Sequence, residues 1–429
     1  MIRVYADFPQ TKSGGRCPRK EMRFMNQKAK EGGWLLTVLF CMVYFTSYIT
    51  RGNYAAVIPE VMSDLALSKS EASLAVTFSF ISYGLGQPFV GWLGDRVPPK
   101  YIITTGLIGT AICNLLTSMQ SAPAVIAVLW CCNGFFQAMM WPPLLRIIAE
   151  TNTPEGYVRT VVNVTTVSCI GTVMIYLTAP LLIRLSSWRL VLIVPAVLAL
   201  VMATLWQVFL KAGRTAGASP TAKRDSAESG SASVWQLILL SGMPLLFTAI
   251  LLQGLLRDGI TTWMPTYISE AFSLGNDVSI LSAAVLPIFS VICIRVSARF
   301  LKLCGGNEVK TAALFFGIST ASCLLLYVCF DSILMSLILM SLISGCAHGI
   351  NQMLVCTTPG RYGRYGRVAS MSGIINAFTY VGSALSAYGF AALADMWGWK
   401  PMVLVWGGCA LAGLALCAAN LKRWKRFIA

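Results

Sequence analysis

Charged side chains are scarce in this chain. Asp, Glu, Lys and Arg make up 12% of its 429 residues, about half the share that is usual in soluble domains. Histidine occurs once, which excludes a metal site built on two histidines. The fourteen cysteines form no Cys-x-x-Cys pair, and nearly all lie within apolar runs, where we interpret them as packing residues. These shortages exclude a soluble enzyme, a disordered chain and a secreted disulfide scaffold.

Apolar sequence is abundant instead. Hydrophobic residues make up 56% of the chain, and the mean hydropathy is +0.69. A membrane-spanning helix needs about 20 apolar residues, whereas the strands of an outer-membrane barrel would be alternating segments of about ten residues. We therefore predict an all-α membrane protein with twelve spans, at residues 34–57, 73–94, 101–120, 123–148, 160–183, 190–210, 243–268, 279–301, 309–330, 332–356, 368–393 and 401–420.

The basic residues are distributed unevenly between the segments that join these spans. If the N-terminus lies inside, the inner segments hold 26 lysines and arginines and the outer segments hold 4. Lys and Arg accumulate on the cytoplasmic side of membrane proteins. We therefore expect both termini to be cytoplasmic, in a multi-pass protein of the plasma (inner) membrane. The net charge of +16 then follows from topology, and no nucleic acid partner is expected.

A polar segment divides the chain into two parts with six spans each. Residues 211–233 are rich in Ala, Ser and Gly and carry several charges, which is the composition of a flexible linker. We predict a cytoplasmic tail over 1–33, a six-helix bundle over 34–210, a cytoplasmic linker over 211–233, a second six-helix bundle over 234–420 and a cytoplasmic tail over 421–429.

The two parts share a motif at an offset of 206 residues. Arg51 is followed by Pro59, and Arg257 by Pro265. The same offset aligns Ser63-Asp64 with Ser269-Glu270, and a looser echo aligns Trp188-Arg189 with Trp399-Lys400. Duplicated halves joined by a linker are typical of secondary transporters, whose substrate site lies near the middle of the membrane between the halves.

Four segments carry a family resemblance. The loop GWLGDRVPPK, from Gly91 to Lys100, resembles the motif between helices 2 and 3 of the major facilitator superfamily. YITRGNYAAVIP, CNGFFQAMMWPPLLR and LLRDGITTWMPTYI, in helices 1, 4 and 7, resemble its organophosphate:phosphate antiporter branch. That branch includes glycerol-3-phosphate and hexose-phosphate transporters and related sugar-phosphate sensors.

The resemblance implies the major facilitator fold, with two pseudo-symmetric six-helix bundles, and Arg51 and Arg257 as paired substrate-binding arginines. Two positions depart from the pattern of the branch. Gln87 stands where many members carry a lysine in helix 2, and the helix 5 histidine of some members is absent, with Ser168 nearby.

Arg51 and Arg257 are also singled out by their positions within the spans. An arginine at a helix centre costs roughly 2.5–3.5 kcal/mol on insertion scales, so such residues usually face the bundle interior. The planar guanidinium matches a phosphate or carboxylate with two hydrogen bonds. Asp258 is adjacent to Arg257, and neighbouring helical residues do not face each other, so we expect both arginines to lack an internal counter-ion. Arg295, near the inner end of helix 8, is expected to snorkel or to pair structurally.

Helical spacing adds further substrate-binding candidates. Tyr44 and Tyr48 share the face of Arg51, and Asn133 and Gln137 form a stripe with Met140 and Trp141 alongside. Buried amides need partners, so Asn133 and Gln137 face either the cavity or another helix; we favour the cavity. Trp141-Pro142-Pro143 lacks two backbone donors and should bend helix 4. Weaker candidates, with interior packing as the alternative, are Gln87, His348, Asn351, Asn376 and Tyr380.

Gating residues are expected at the cytoplasmic rim. Asp95, Arg96 and Arg146 lie there, and an Asp95–Arg146 pair could join helices 2 and 4 in the outward-facing state. The alternative is that these charges only set topology. Small residues in helices 2 and 11, among them Gly91 and Gly373, are interpreted as surfaces for close helix packing.

These patterns predict a transporter and not an enzyme, because we find no nucleophile–base pair and no phosphate-cradling loop. The expected function is exchange of a small organic anion, a phosphate ester, for inorganic phosphate by alternating access, with Arg51 and Arg257 as the anion clamp. Two alternatives remain open: a proton-coupled carrier of a carboxylate or other small solute, with Asp258 as the one clear intramembrane carboxylate, and a non-transporting sugar-phosphate sensor. The expected partners are the small anion and the lipid bilayer, the expected state is a monomer, and no cofactor is expected.

Overall fold

Helices account for almost all of the residues that the structure describes. The computed structural model describes residues 19–67, 69–217, 233–272 and 285–429, and this part contains no β-strand. The α-helices are α1 (Arg19–Leu65), α2 (Lys69–Arg96), α3 (Pro99–Ser118), α4 (Pro123–Ala138), α5 (Trp141–Thr151), α6 (Pro154–Leu185), α7 (Trp188–Gly217), α8 (Val234–Ser241), α9 (Met243–Phe272), α10 (Leu286–Leu303), α11 (Glu308–Val328), α12 (Ile333–Asn351), α13 (Val368–Trp397) and α14 (Trp399–Ile428).

Ten helical segments of this part are long and apolar enough to cross a membrane. α2 and α10 stand at the positions of the predicted second and eighth spans. The all-α membrane architecture is therefore confirmed. Some predicted tail and linker residues are helical, because α1 begins at Arg19 and α7 extends to Gly217. Residues 218–232 of the predicted linker lie outside the described residues.

The fourth span is interrupted where the sequence predicts a bend. α4 ends at Ala138 and α5 begins at Trp141, with Met139 and Met140 forming a turn between them. Pro142 and Pro143 cannot donate backbone hydrogen bonds to the preceding turn. They are tolerated in the first turn of α5, where those donors would be unpaired in any case.

The tenth span, predicted at residues 332–356, is not α-helical to its end. After α12 the chain continues as a π-helical segment, Gln352–Thr357, and then as a 3₁₀ segment, Thr358–Tyr365. π-Helical turns inside helices are rare and often mark functional sites. Here the wide turn lies beside Asn351, a residue that contacts Arg257.

The helices of each half pack mainly on one another. α1 packs on α6 and α7, and α2 and α3 pack on α4; in the second half, α9 packs on α13 and α14, and α11 packs on α12 and α14. The halves meet where α2 crosses α13, and also through α5 with α13 and α6 with α10. A Cβ atom at Gly373 would collide with the carbonyl oxygen of Gln87, so the α2–α13 crossing requires glycine there.

The repeat seen in the sequence has a structural counterpart. The Trp188 indole Nε1 donates to the Asp64 carboxylate at 2.9 Å, and the Trp399 Nε1 donates to the Glu270 carboxylate at 2.7 Å. In each half, the tryptophan that opens the last long helix is thus fastened to an acid near the end of the first. The side chains of Pro59 and Pro265 lie outside the described residues.

Candidate functional site: two arginines between the halves

Arg51 lies in the C-terminal half of α1, with its guanidinium inside a ring of aromatic side chains. The guanidinium carbon is 4.5 Å from the ring centre of Tyr83 and 5.5–5.6 Å from those of Tyr48, Phe80 and Tyr380. Nη2 donates to the Tyr380 hydroxyl at 2.7 Å. None of the four ion pairs found in the described part of the chain involves Arg51. Its positive charge is therefore held by ring faces and a hydroxyl.

Arg257 does have an internal counter-ion, which corrects the sequence expectation. Its Nε donates to Asp258 Oδ1 at 2.7 Å and its Nη2 donates to Oδ2 at 2.8 Å. Nη1 donates to the Asn351 amide oxygen at 3.1 Å. Although helical neighbours leave the axis in different directions, the long arginine side chain folds back to reach the adjacent carboxylate.

α13 connects the surroundings of the two arginines. Tyr380 accepts from Arg51, and Ser383, less than one turn further along α13, donates to Asp258. Asn376, one turn before Tyr380, is buried. One face of α13 therefore contacts a charged group from each half of the molecule.

Aromatic side chains continue this site from Arg51 toward α5. The ring centres of Tyr44 and Tyr48 are 5.1 Å apart, and those of Tyr44 and Trp141 are 4.6 Å apart. Tyr48 lies on the same helical face as Arg51, as the spacing predicts. Tyr48 therefore lies next to the arginine, Tyr44 packs on Tyr48 and Trp141 packs on Tyr44, while contact of all three with a substrate stays a prediction.

Asn133 and Gln137 do not face the cavity, and the expectation that they do is wrong for this structure. Gln137 accepts from Ser47 at 2.6 Å and donates to Thr50 and Thr110 at 2.9 and 2.8 Å. Asn133 accepts from Thr110 and donates to the Thr50 carbonyl. Their hydrogen bonds join α1, α3 and α4, because hydroxyl partners on those helices satisfy the buried amides.

The weaker candidates His348 and Gln87 differ in whether their side-chain polar atoms have hydrogen-bond partners. His348 is held through Nδ1 by the Ser344 carbonyl at 2.9 Å and by the Ser290 hydroxyl at 3.1 Å. Gln87 is fully buried, and both of its side-chain polar atoms lack a hydrogen-bond partner. An unpaired buried amide is unusual, and Gln87 occupies the α2 position where the resemblance places a lysine.

The expected Asp95–Arg146 pair is not among the ion pairs of the described residues. Arg146 pairs with Glu150 at 2.7 Å and donates to the Gly94 carbonyl at 2.6 Å. Arg96 is exposed and lies over the Trp92 ring at 4.1 Å. Asp95 crosses to the other half instead and accepts from the backbone N–H groups that open α13.

We call the end of the molecule where α2 ends and α13 begins the terminal end. There, Asp95 accepts from the amides of Ala369 and Ser370, both at 2.9 Å. A carboxylate is stabilised at a helix N-terminus by free N–H groups and by the helix dipole. The Tyr157 hydroxyl donates to the Cys356 carbonyl at 2.9 Å, and Thr165 donates to the Gln352 amide at 2.8 Å. The halves are therefore closed against each other at the terminal end.

Three residues that complete the site, Phe80, Tyr83 and Ser383, are not among the candidates predicted from the sequence. Phe80 and Tyr83 precede Gln87 by seven and four residues on α2, so helical spacing alone would have placed them on one face. Ser383 follows Tyr380 by three residues on α13 in the same way. Among the described residues, no group of histidine, cysteine and acidic side chains could hold a metal ion.

The arrangement places two arginines near the contact between the two halves of the chain, and the comparisons with known proteins identify the family. The family model "Major Facilitator Superfamily" matches residues 40–387. A "Probable hexose phosphate transport protein" of Chlamydia pneumoniae is 23% identical and aligns over 91% of each chain. The "Membrane sensor protein UhpC" of Salmonella typhimurium is 25% identical over 83% of this chain and 84% of its own length.

A shorter alignment and two solved structures extend the likeness. The "Glycerol-3-phosphate transporter" of Bacillus subtilis is 26% identical over 60% of this chain and 63% of its own length. The proton:xylose symporter XylE superposes with a TM-score of 0.72 at 10% identity, over 93% of this chain and all of its own. FucP in the outward conformation superposes with a TM-score of 0.69 at 13% identity, over 91% of this chain and 99% of its own. The chain belongs to the Major Facilitator Superfamily and is a membrane transporter related to sugar-phosphate and organophosphate carriers.

Proposed function

We propose that this protein exchanges a small organic anion, a phosphate ester, for inorganic phosphate by alternating access. The observation that carries the proposal is Arg51, a guanidinium between the halves with no carboxylate partner among the described residues. The names of the relatives, which include hexose phosphate and glycerol-3-phosphate carriers, support a phosphorylated substrate. We further propose a monomer in the plasma membrane with both termini cytoplasmic, organised as the two six-helix bundles that the sequence predicts.

The exchange requires that the substrate replace contacts that the site makes to itself. An arriving anion accepts hydrogen bonds from Arg51 in place of the Tyr380 hydroxyl, and it meets Arg257 beside Asp258. Because arginine presents several N–H donors, each guanidinium can serve a phosphate oxygen and keep one internal contact. An unoccupied site leaves positive charge between the halves and resists closure, so the halves exchange states only when an anion is bound.

The test is phosphate exchange by the purified protein in liposomes. We expect Arg51→Lys and Arg257→Lys each to reduce the exchange rate by at least about tenfold, because lysine lacks the planar fork that binds two phosphate oxygens. Arg295→Lys is the matched control, since Arg295 is exposed on α10 and should tolerate the change. Undiminished exchange in both variants would refute the clamp.

A proton-coupled carrier is the second candidate, and the carboxylate of Asp258 inside the site favours it. In that case a pH gradient alone drives uptake, and Asp258→Asn abolishes the coupling. The third candidate is a sensor, favoured by the similarity to the UhpC sensor protein over most of the chain. A sensor binds the phosphate ester but produces no flux in liposomes, so the same preparation separates all three.

A further inference from the structure

Asp258 places a negative charge inside the proposed anion site. Its two oxygens accept from Nε and Nη2 of Arg257, and Oδ2 also accepts from Ser383 on α13. The side chain of Arg257 is 14% exposed and that of Asp258 is 35% exposed, so solvent or a ligand can reach the carboxylate more easily than the guanidinium. An anion that approaches Arg257 therefore meets Asp258 first.

The charges of the site consequently differ from those of two free arginines. Arg51, Arg257 and Asp258 together leave one net positive charge. The other titratable groups near the Arg257–Asp258 pair are His348 on α12, Tyr380 on α13, Tyr48 on α1, Cys169 on α6 and Cys356 on the π-helical segment. The hydroxyls and thiols are neutral near pH 7, and the single histidine is held by neutral partners.

A carboxylate in such a site acts unequally on anions of different charge. The repulsion between the carboxylate and a ligand scales with the charge of the ligand. A doubly charged anion therefore loses about twice as much binding free energy as a singly charged anion of the same shape. Arg257 is also less available, because two of its donors are already used. Both effects disfavour the dianion.

We propose that Asp258 is the charge selector of the central site: paired with Arg257, it shifts the preference of the transporter from doubly toward singly charged organic anions. This inference rests on the proposed function, because it takes the space between the two arginines to be the substrate site. The Ser383 hydrogen bond joins the Asp258 carboxylate on α9 to α13, so the carboxylate keeps a partner in the site when Arg257 turns toward a ligand.

The experiment compares two esters of one alcohol, a phosphate monoester and a sulfate monoester, which differ in charge but hardly in shape. At pH 8 the phosphate ester is a dianion, because its second pKa is about 6, and the sulfate ester is a monoanion. Binding of each is measured to wild type and to Asp258→Asn, without a pH gradient. We expect the affinity ratio of phosphate to sulfate ester to rise at least about tenfold in Asp258→Asn.

Two further variants keep the result interpretable. Asp258→Ser makes the same change of charge with a different side chain and replaces Asp258→Asn if that variant does not fold. Asp64→Asn removes a carboxylate that also pairs with an arginine, Arg189, but near the C-terminal end of α1, and should leave the ratio unchanged. An unchanged or smaller ratio in the Asp258 variants overturns the selector while the proposed function stands. If wild type binds neither ester, both are overturned.

Discussion

Gln137 offers the clearest test of whether a buried polar side chain stabilises the helix packing or binds the substrate. It accepts from Ser47 and donates to Thr50 and Thr110, and without it the buried Ser47 hydroxyl loses the acceptor that it has in this structure. An unsatisfied buried polar group costs roughly 1–3 kcal/mol. We expect Gln137→Leu to lower the thermal unfolding temperature, as measured in detergent, and to leave the apparent KM for the anion unchanged. A normal unfolding temperature combined with a raised KM would place Gln137 in the substrate site after all.

At this scale the sequence predicts which residues matter better than it predicts their contacts. Arg51 was identified by its position in a span, and Tyr48 by its spacing from it. The pairing of Arg257 with Asp258 was not predicted, because helical spacing describes where a Cβ atom points and not where a long flexible side chain ends. The partners of Asn133 and Gln137 lie up to 90 residues away along the chain, which no local pattern reveals.

Among the helices, α13 stands out because it makes contacts in both halves of the molecule. It packs on α9 within its own half and on α2 of the other half, and it carries the partners of both Arg51 and Asp258. The close crossing with α2 depends on Gly373 and Gly91, whose Cα atoms face each other. Any motion of α13 against α2 therefore changes the site directly.

The glycine at this crossing gives a test of that dependence. We expect Gly373→Ala to slow exchange at saturating substrate, because its Cβ atom collides with the Gln87 carbonyl and destabilises the state closed at the terminal end. Gly389→Ala, on the same helix but with no atom within 4 Å of its added Cβ, is the matched control. Equal rates for the two variants would contradict the dependence on the crossing.

Element boundaries were predictable where proline sets them. The two prolines after Trp141 predict the end of α4, because the missing N–H groups are visible in the sequence. The π-helical segment Gln352–Thr357 has no such signal. Its conformation is stabilised by packing and by contacts to α6 in the other half, such as that between Gln352 and Thr165.

Over the whole molecule, closure at the terminal end defines one state of the transport cycle. Cys356 is buried there, 3% exposed, beneath the contact from Tyr157. In a protein whose only cysteine is Cys356, we expect slow labelling by a thiol reagent applied from the terminal end. Asp95→Ala should increase the labelling rate, because it removes the carboxylate that holds the first turn of α13 to α2.

A second protein, whose only cysteine is Cys304, half-buried at the end of α10, provides the reference for reagent access. Its labelling rate should be the same with and without Asp95→Ala. If Cys356 is also labelled at the same rate with and without Asp95→Ala, Asp95 does not hold this end closed. The all-α membrane architecture and the repeat could be predicted from the sequence, but which end is closed could not, because closure depends on contacts between residues more than 180 positions apart.

The two indole–carboxylate contacts, Trp188 with Asp64 and Trp399 with Glu270, have a consequence for how such a molecule diverges after duplication. Both halves have the same kind of hydrogen bond between the end of their first long helix and the start of their last, so each half can tilt as a unit in the same way. The centres have become chemically different: one arginine is surrounded by rings and the other is neutralised by its neighbour. Because the two contacts do not involve the residues around Arg51 and Arg257, those residues can change without breaking either contact.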